Sequence, residues 1–367
     1  MPVTCTSIFA TQEDARAIPC GELDLCVCPR CGFAFNRLFD ARLGELGARY
    51  ESSQAASARF NTFATSLAAD WVTRYNLKDR TVVEVGSGGG DFLRLLLDTG
   101  VARACGVDPL GIPSSDPRLQ TRPAVFDPTQ HDYDASALVC RHTLEHVPDV
   151  ANFLRDIRQW AGATPNRVVL FEFPDAERVF AERAFWDVYY EHCNYFTMST
   201  ARAAFEHAGL EILRMYRAYG DQYLIVEARA GNQVHPQTST AEAAVIACQE
   251  FARDVRFSVE RCGAALQQMA ASSRVVIWQG AAKTVGLFTF LGDVTSIECA
   301  IDLNPQRQGG FLPGTGVHVL APQALQKIRP EHVVLMNPIY LDEVRAAVHE
   351  MRLASRVHSI NELLRVV

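Results

Sequence analysis

From Thr81 onward, short apolar runs alternate with segments apolar at every third or fourth position. TVVEVG, ACGVD, ASALVC and RVVLFEF are apolar almost throughout, as strands buried on both faces are. Between them, DFLRLLLDTG, DVANFLRDIRQWAG and STARAAFEHAG carry the helical period, and the last ends in Gly. The pattern predicts a parallel sheet covered by helices. LEILRMYRAYG and QYLIVEAR then follow as two strands in succession, which predicts a hairpin at one edge of that sheet. GNQVHPQTST breaks the pattern, and a helix through AVIACQEFARDVRFSVERCGAALQQMA follows. A second, half-sized α/β unit comes next: RVVIWQG, KTVGLFTFLG, IECAID, HVVLM and LDEVRAAVHEM. Before Thr81, ARFNTFATSLAADWVTRY is helical, whereas the chain up to Asp40 is Cys-rich with little periodicity. The expected units are a Cys-rich segment over 1–40, an α/β domain with a helical lead-in over 41–230, a helical linker over 231–270 and a smaller α/β domain over 271–367.

The segment VVEVGSGGGDF puts Gly86, Gly88, Gly89 and Gly90 at a strand-to-helix turn, where backbone can approach a ligand closely. Glu84, inside the strand, is placed to fix an amino-acid ammonium. Asp108 ends the next strand about twenty residues on, where an acid can take ribose hydroxyls. S-adenosylmethionine (SAM) has a ribose and an ammonium but no phosphate, so these features favour it over NAD. The edge hairpin is the added strand of SAM-dependent methyltransferases and is missing from dehydrogenases. Asp127, in AVFDPTQ, either reaches the adenine amine or is a turn acid before Pro128.

Three further stretches carry candidate chemistry. RHTLEHV follows the strand ending at Cys140, at the cleft position where a transferred methyl would lie. His142 and His146 are candidate cleft residues there, and Arg141 and Glu145 read as solvated polar groups at a helix start. FWDVYYEHCNYF, residues 185–196, packs six aromatic residues around Glu191-His192. Burying either charge unpaired costs several kcal/mol, so this pair calls for an explanation. WQGAAKTVG places Gly280 and Lys283 at a strand-to-helix turn, an anion site by helix dipole and ammonium, unless the domain only shapes the cleft. Asp302, ending the next strand, occupies a ribose-binding position, and Arg307 reads as a surface arginine.

CPRCGFAFN, YESS, EVGSGGGDF, GVDP, TLEHV, YYEHCNYF, GAAK and NPQRQGGFLPGT occur in an order and spacing that resembles the C-methyltransferases of deoxysugar biosynthesis. The resemblance spans nearly the whole chain. It implies an α/β fold: a class I SAM methyltransferase Rossmann-like domain, a small zinc-binding N-terminal domain and a C-terminal Rossmann-like domain. It implies that Tyr189, Glu191 and His192 carry the chemistry, with Tyr50 of RYESSQ lining the same pocket. His192 would be the base that deprotonates a carbon next to a carbonyl, Glu191 would tune a neighbouring group and Tyr189 would donate to the enolate oxygen. It also implies that the GAAK domain holds a sugar nucleotide diphosphate. Zinc in that family is held by two Cys-x2-Cys pairs. Here only Cys28 and Cys31 form such a pair, and Cys5 and Cys20, with Cys26 as substitute, are the candidates to complete the site. Gly316 stands where the family commonly has His, in a region that faces substrate.

Composition changes this picture little. The 367 residues are 48% hydrophobic and 21% charged, with a net charge of −7. Without a Lys/Arg cluster, neither a nucleic-acid nor an anionic-membrane partner is expected. Neither a signal peptide nor a membrane span is expected, and a cytoplasmic location follows. In such a compartment the 11 cysteines are expected reduced or metal-bound. The expected activity is SAM-dependent C-methylation of a small molecule, a nucleotide-linked keto-deoxysugar or related keto compound. The alternatives are O- or N-methylation of a natural product, or a non-catalytic SAM-binding scaffold.

Overall fold

The computed structural model describes residues 1–44, 53–131, 133–231 and 241–364. Its strands, in chain order, are β1 (Leu25–Val27), β2 (Ala34–Asn36), β3 (Thr81–Val85), β4 (Arg103–Val107), β5 (Leu119–Arg122), β6 (Ala137–Arg141), β7 (Val168–Pro174), β8 (Asn194–Tyr195), β9 (Leu210–Ala218) and β10 (Tyr223–Ala230), followed by β11 (Val275–Trp278), β12 (Ile297–Ile301), β13 (Val319–Leu320), β14 (His332–Leu335) and β15 (Arg356–Ser359).

The central sheet has seven strands in the order β5-β4-β3-β6-β7-β10-β9. The first five run parallel, and β10 pairs antiparallel with both β7 and β9. The expected edge hairpin is therefore present, and this order with its reversed strand is the class I methyltransferase arrangement. Helices cover both faces. In Ala58–Arg74, Ser57 caps the N-terminus by accepting from the Phe60 N–H, and Phe60, Ala64, Leu67, Ala68, Trp71 and Val72 form the buried stripe. Asp149 caps Val150–Ala163 in the same way on the other face.

The smaller domain is an all-parallel five-stranded sheet, β13-β12-β11-β14-β15. The helix Ala241–Ala270 leads into it. Its two edge strands, VL and RVHS, lack the apolar run that revealed the other three.

The first 40 residues do not stand apart from the rest. β1 and β2 form a hairpin whose second strand pairs with β8, inside the aromatic segment. Phe9 bridges to Phe311, and the Gly314 N–H donates to the Ala15 carbonyl. The N-terminal stretch thus lies against both the smaller domain and the aromatic segment. Among the described residues no helix is long and apolar enough to cross a membrane.

Candidate active site

The carboxyl ends of β3, β4 and β6 meet at the glycine turn, the cleft position of such sheets. Gly86 has φ +71, and a Cβ there would stand 1.9 Å from Thr143 Oγ1, so glycine is required. At Gly88 and Gly89 nothing lies within 4 Å of a Cβ position, which leaves the turn open to a ligand. Asp108 holds the loop's shape: the Gly88 N–H donates to Oδ2 and the Leu110 N–H to Oδ1. Asp127 accepts from the Thr129 N–H, the Thr129 hydroxyl and the Gln130 N–H, all on Oδ1. That is the geometry of a turn acid.

Glu84 is 3% exposed, and among the described residues its Oε2 has no hydrogen-bond partner. Burial lifts its pKa to about 8, against the pull of Arg141. A buried carboxyl with a free oxygen beside an open glycine turn fits the ammonium of SAM. A proton is then released on binding, because the ammonium favours the carboxylate. Titration calorimetry near pH 7 in buffers of different ionisation enthalpy should show close to one proton leaving per SAM, and affinity rising with pH towards 8. Glu84→Gln should abolish the release. Tighter binding of NAD than of SAM would overturn the cofactor assignment.

Arg141 and Glu145 are not solvated. Arg141 Nε donates to Glu172 Oε2 at 2.7 Å, and the guanidinium lies 4.1 Å from the Phe92 ring centroid. Glu172, fully buried, accepts on its other oxygen from His142 Nε2 at 2.9 Å. Burial alone would raise the Glu172 pKa, but Arg141 and His142 hold it down at about 2. Burial would likewise depress His142, yet Glu172, with Glu145, lifts it to about 9. His142 is therefore a structural cation that neutralises a buried acid. Its φ of +47 marks the sharp turn out of β6.

That turn presents Glu145 and His146 to the aromatic segment. His146 Nδ1 lies 2.8 Å from the Glu191 carbonyl. A carbonyl oxygen can only accept, so His146 carries a proton on Nδ1 and donates it there. The His192 ring stands edge-on to His146 at 4.8 Å and to Tyr189 at 4.7 Å. Ligand atoms of Glu145, His146 and His192 all lie within 4.8 Å of one another. Glu145 is 2% exposed with an unpartnered Oε2. Burial, and then His146, depress the His192 pKa to about 3, so its imidazole is neutral near neutral pH. The resemblance implied a base poised near neutrality; desolvation places it lower.

Glu191 does not point at His192. Its Oε1 accepts from the Cys5 N–H at 3.1 Å and its Oε2 from the Thr6 hydroxyl at 3.4 Å, which ties the N-terminal stretch to the site. Burial raises its pKa, opposed mainly by His146. The Tyr189 hydroxyl donates to Asp187 Oδ1 at 2.8 Å, so its one proton is committed there and not held ready for an enolate oxygen. Asp187 also accepts from Lys283 and Arg178, and their charges outweigh burial to hold it ionised. Tyr50 lies outside the described residues.

The second glycine turn differs from an open anion site. Lys283 is paired with Asp187, and a Cβ at Gly280 would meet Val319 at 2.8 Å. Asp302 accepts from the Asn304 N–H. Arg307 is a buried strut rather than a surface arginine: it is 4% exposed and donates to the carbonyls of Gly280 and Thr6. The cysteines also part from expectation. Cys5 is fully buried with its thiol near the Pro2 carbonyl, whereas Cys20 is exposed and near the Ile18 carbonyl. Cys28 and Cys31 face each other beside Arg30. Among the described residues, Glu145, His146 and His192 are the one group spaced to share a metal ion. Among the described residues Cys5, Cys20, Cys28 and Cys31 are not grouped within reach of one ion, and Cys5 packs in the core with Tyr189.

Residues 60–215 match a methyltransferase domain, and residues 232–356 match a C-methyltransferase C-terminal domain. The chain is 25% identical over 366 residues to the C-methyltransferase NovU of Streptomyces niveus, covering 92% of this chain and 85% of that protein. Among solved structures, the 1,6-didemethyltoxoflavin-N1-methyltransferase of Burkholderia thailandensis shares 14% identity at a TM-score of 0.38, over 55% of this chain and 96% of that one. The magnesium protoporphyrin IX methyltransferase of Synechocystis PCC 6803 shares 16% at 0.36, over 47% and 84%. With a methyltransferase domain and a C-methyltransferase C-terminal domain in series on a class I sheet, the chain is a SAM-dependent methyltransferase, similar along its length to C-methyltransferases.

Proposed function

We propose that the protein transfers a methyl group from SAM to carbon, on a small keto compound for which a nucleotide-linked keto-deoxysugar is the expected class. The carrying observation is His192: among the described residues an imidazole without a hydrogen-bond partner, with its ligand atom within 4.8 Å of the buried, ionised Glu145 at the cleft end of β6. Carbon acceptors must be deprotonated before they attack, and an oxygen or nitrogen acceptor needs far less from a base. SAM, when bound, supplies the electrophilic methyl. His192 takes the proton next to the carbonyl, and Glu145 stabilises the imidazolium that forms. Tyr189, its hydroxyl anchored on Asp187, braces the His192 ring edge-on. Glu191 holds the N-terminal stretch closed over the pocket, and the surrounding rings exclude water.

Solvent exchange tests this reading. With a thymidine-diphosphate-linked keto-deoxysugar and S-adenosylhomocysteine in deuterium oxide, the enzyme should wash deuterium into the position next to the carbonyl. Methylation of the same probe at oxygen, with no exchange at carbon, would favour the O-methyltransferase reading.

A further inference from the structure

Lys283 is the first charged residue of the helix Ala282–Leu291 in the smaller domain, 96 positions along the chain from Asp187. The two meet because that helix presses on the turn Phe185–Asp187 at the start of the aromatic segment. The approach is backbone-close: a Cβ on Gly286 would stand 2.5 Å from the Trp186 carbonyl oxygen. The helix start is itself tightly held. Gln279 has φ +101, a strained value for a residue with a side chain, and the Thr284 hydroxyl donates to its carbonyl.

Asp187 divides its two oxygens. Oδ1 accepts from both Lys283 Nζ and the Tyr189 hydroxyl, and Oδ2 accepts from Arg178. All three side chains are largely buried; those of Lys283, Arg178 and Asp187 are 16%, 14% and 6% exposed. Tyr189 in turn meets His192 edge-on. A continuous run of contacts therefore leads from the smaller domain to the imidazole: Lys283, Asp187, Tyr189, His192.

We propose that Lys283 is a positioning residue for His192, acting through Asp187 and Tyr189, so that the smaller domain completes the reaction centre of the larger one. The proposal rests on the reading of His192 as the base for the rate effect it expects, but not for the contact it describes. Without Lys283, Oδ1 loses its cation and Asp187 turns towards Arg178. The Tyr189 hydroxyl then loses its fixed acceptor and the ring its brace on His192. Misplacement of a base by about 1 Å costs on the order of 10²-fold in rate.

The test uses full-length protein labelled with nitrogen-15 in histidine. His192 resonances are identified by their loss in His192→Gln. In Lys283→Met they should move, and in Lys283→Arg, which restores a cation, they should return towards wild type. Lys283→Met leaves Asp187 paired with Arg178, so charge stays balanced; should it nevertheless fail to fold, Lys283→Gln reads the same resonances. Deuterium exchange into the thymidine-diphosphate-linked probe should slow by about 10² in Lys283→Met and largely recover in Lys283→Arg, with SAM affinity by calorimetry unchanged. Unmoved His192 resonances in the Met or Gln variant overturn the proposal, whatever the rate does. No exchange by the wild-type protein overturns the base reading instead, and the resonances still decide the contact.

Discussion

His192→Ala is expected to lower turnover on the thymidine-diphosphate-linked keto probe by about 10² to 10⁴, the usual worth of general-base catalysis. The acceptor carbon has no lone pair until a proton leaves, and among the described residues His142 and His146 are hydrogen-bonded in the cleft whereas His192 is not. SAM affinity should be unchanged, because Glu84 and the glycine turn lie on β3, apart from His192. The pH profile sharpens the test. An imidazole held at about 3 is unprotonated across the working range, so kcat/KM should show no acid limb from His192 near pH 6.5, the ordinary histidine value. Glu191→Gln should act more weakly, since the amide keeps an oxygen for the Cys5 N–H. Near-normal turnover in His192→Ala would move the acceptor to oxygen or nitrogen and leave the aromatic segment as a pocket wall.

Asp187→Ala is expected to destabilise the fold by about 3 to 5 kcal/mol, the cost of stripping a buried ion pair of one partner. Lys283 and Arg178 would be left as two buried cations with their shared carboxylate gone, and Glu182, 37% exposed, pairs directly with Arg178. In a chain of this size that corresponds to a fall in Tm on the order of 10 °C by calorimetry. Joint replacement of Asp187 by Leu with Lys283 and Arg178 by Met should recover much of the stability, because apolar groups of similar volume need no partners. It should not recover turnover. A small change in Tm for the single variant would mean that water reaches the triad and screens it.

Strands buried on both faces were legible in sequence because their runs are apolar almost throughout; β3, β6 and β7 are examples. The edge strands β5, LQTR, and β15, RVHS, were not, since an edge half-open to solvent tolerates polar residues. The glycine turn was legible because it is formed by one continuous stretch of chain. The fates of Arg141, Glu145 and Arg307 were hidden. Each is a charge that looks solvated until its partner arrives from elsewhere: Glu172 for Arg141, the 142–146 turn and His192 for Glu145, Thr6 and Gly280 for Arg307. Lys283 showed the opposite error. A lysine at a glycine turn suggests an anion from solution, whereas its anion is Asp187, from the other domain. Cys5, expected beside the Cys-x2-Cys pair, packs in the core with Tyr189.

The close approach of Gly286 to the Trp186 carbonyl also bears on recombination between related enzymes. Exchange of the C-terminal domain between related enzymes would join it ahead of the long helix Ala241–Ala270. A donor domain with alanine in place of Gly286 would bring a methyl group into a peptide carbonyl, and backbone cannot rotate away as a side chain can. Such a hybrid would fold as two good halves that fail to seat, and it would bind SAM without turning over. A productive hybrid must inherit the glycine together with the lysine one helical turn before it, so compatibility between donor and acceptor can be screened at these two positions before any gene is built.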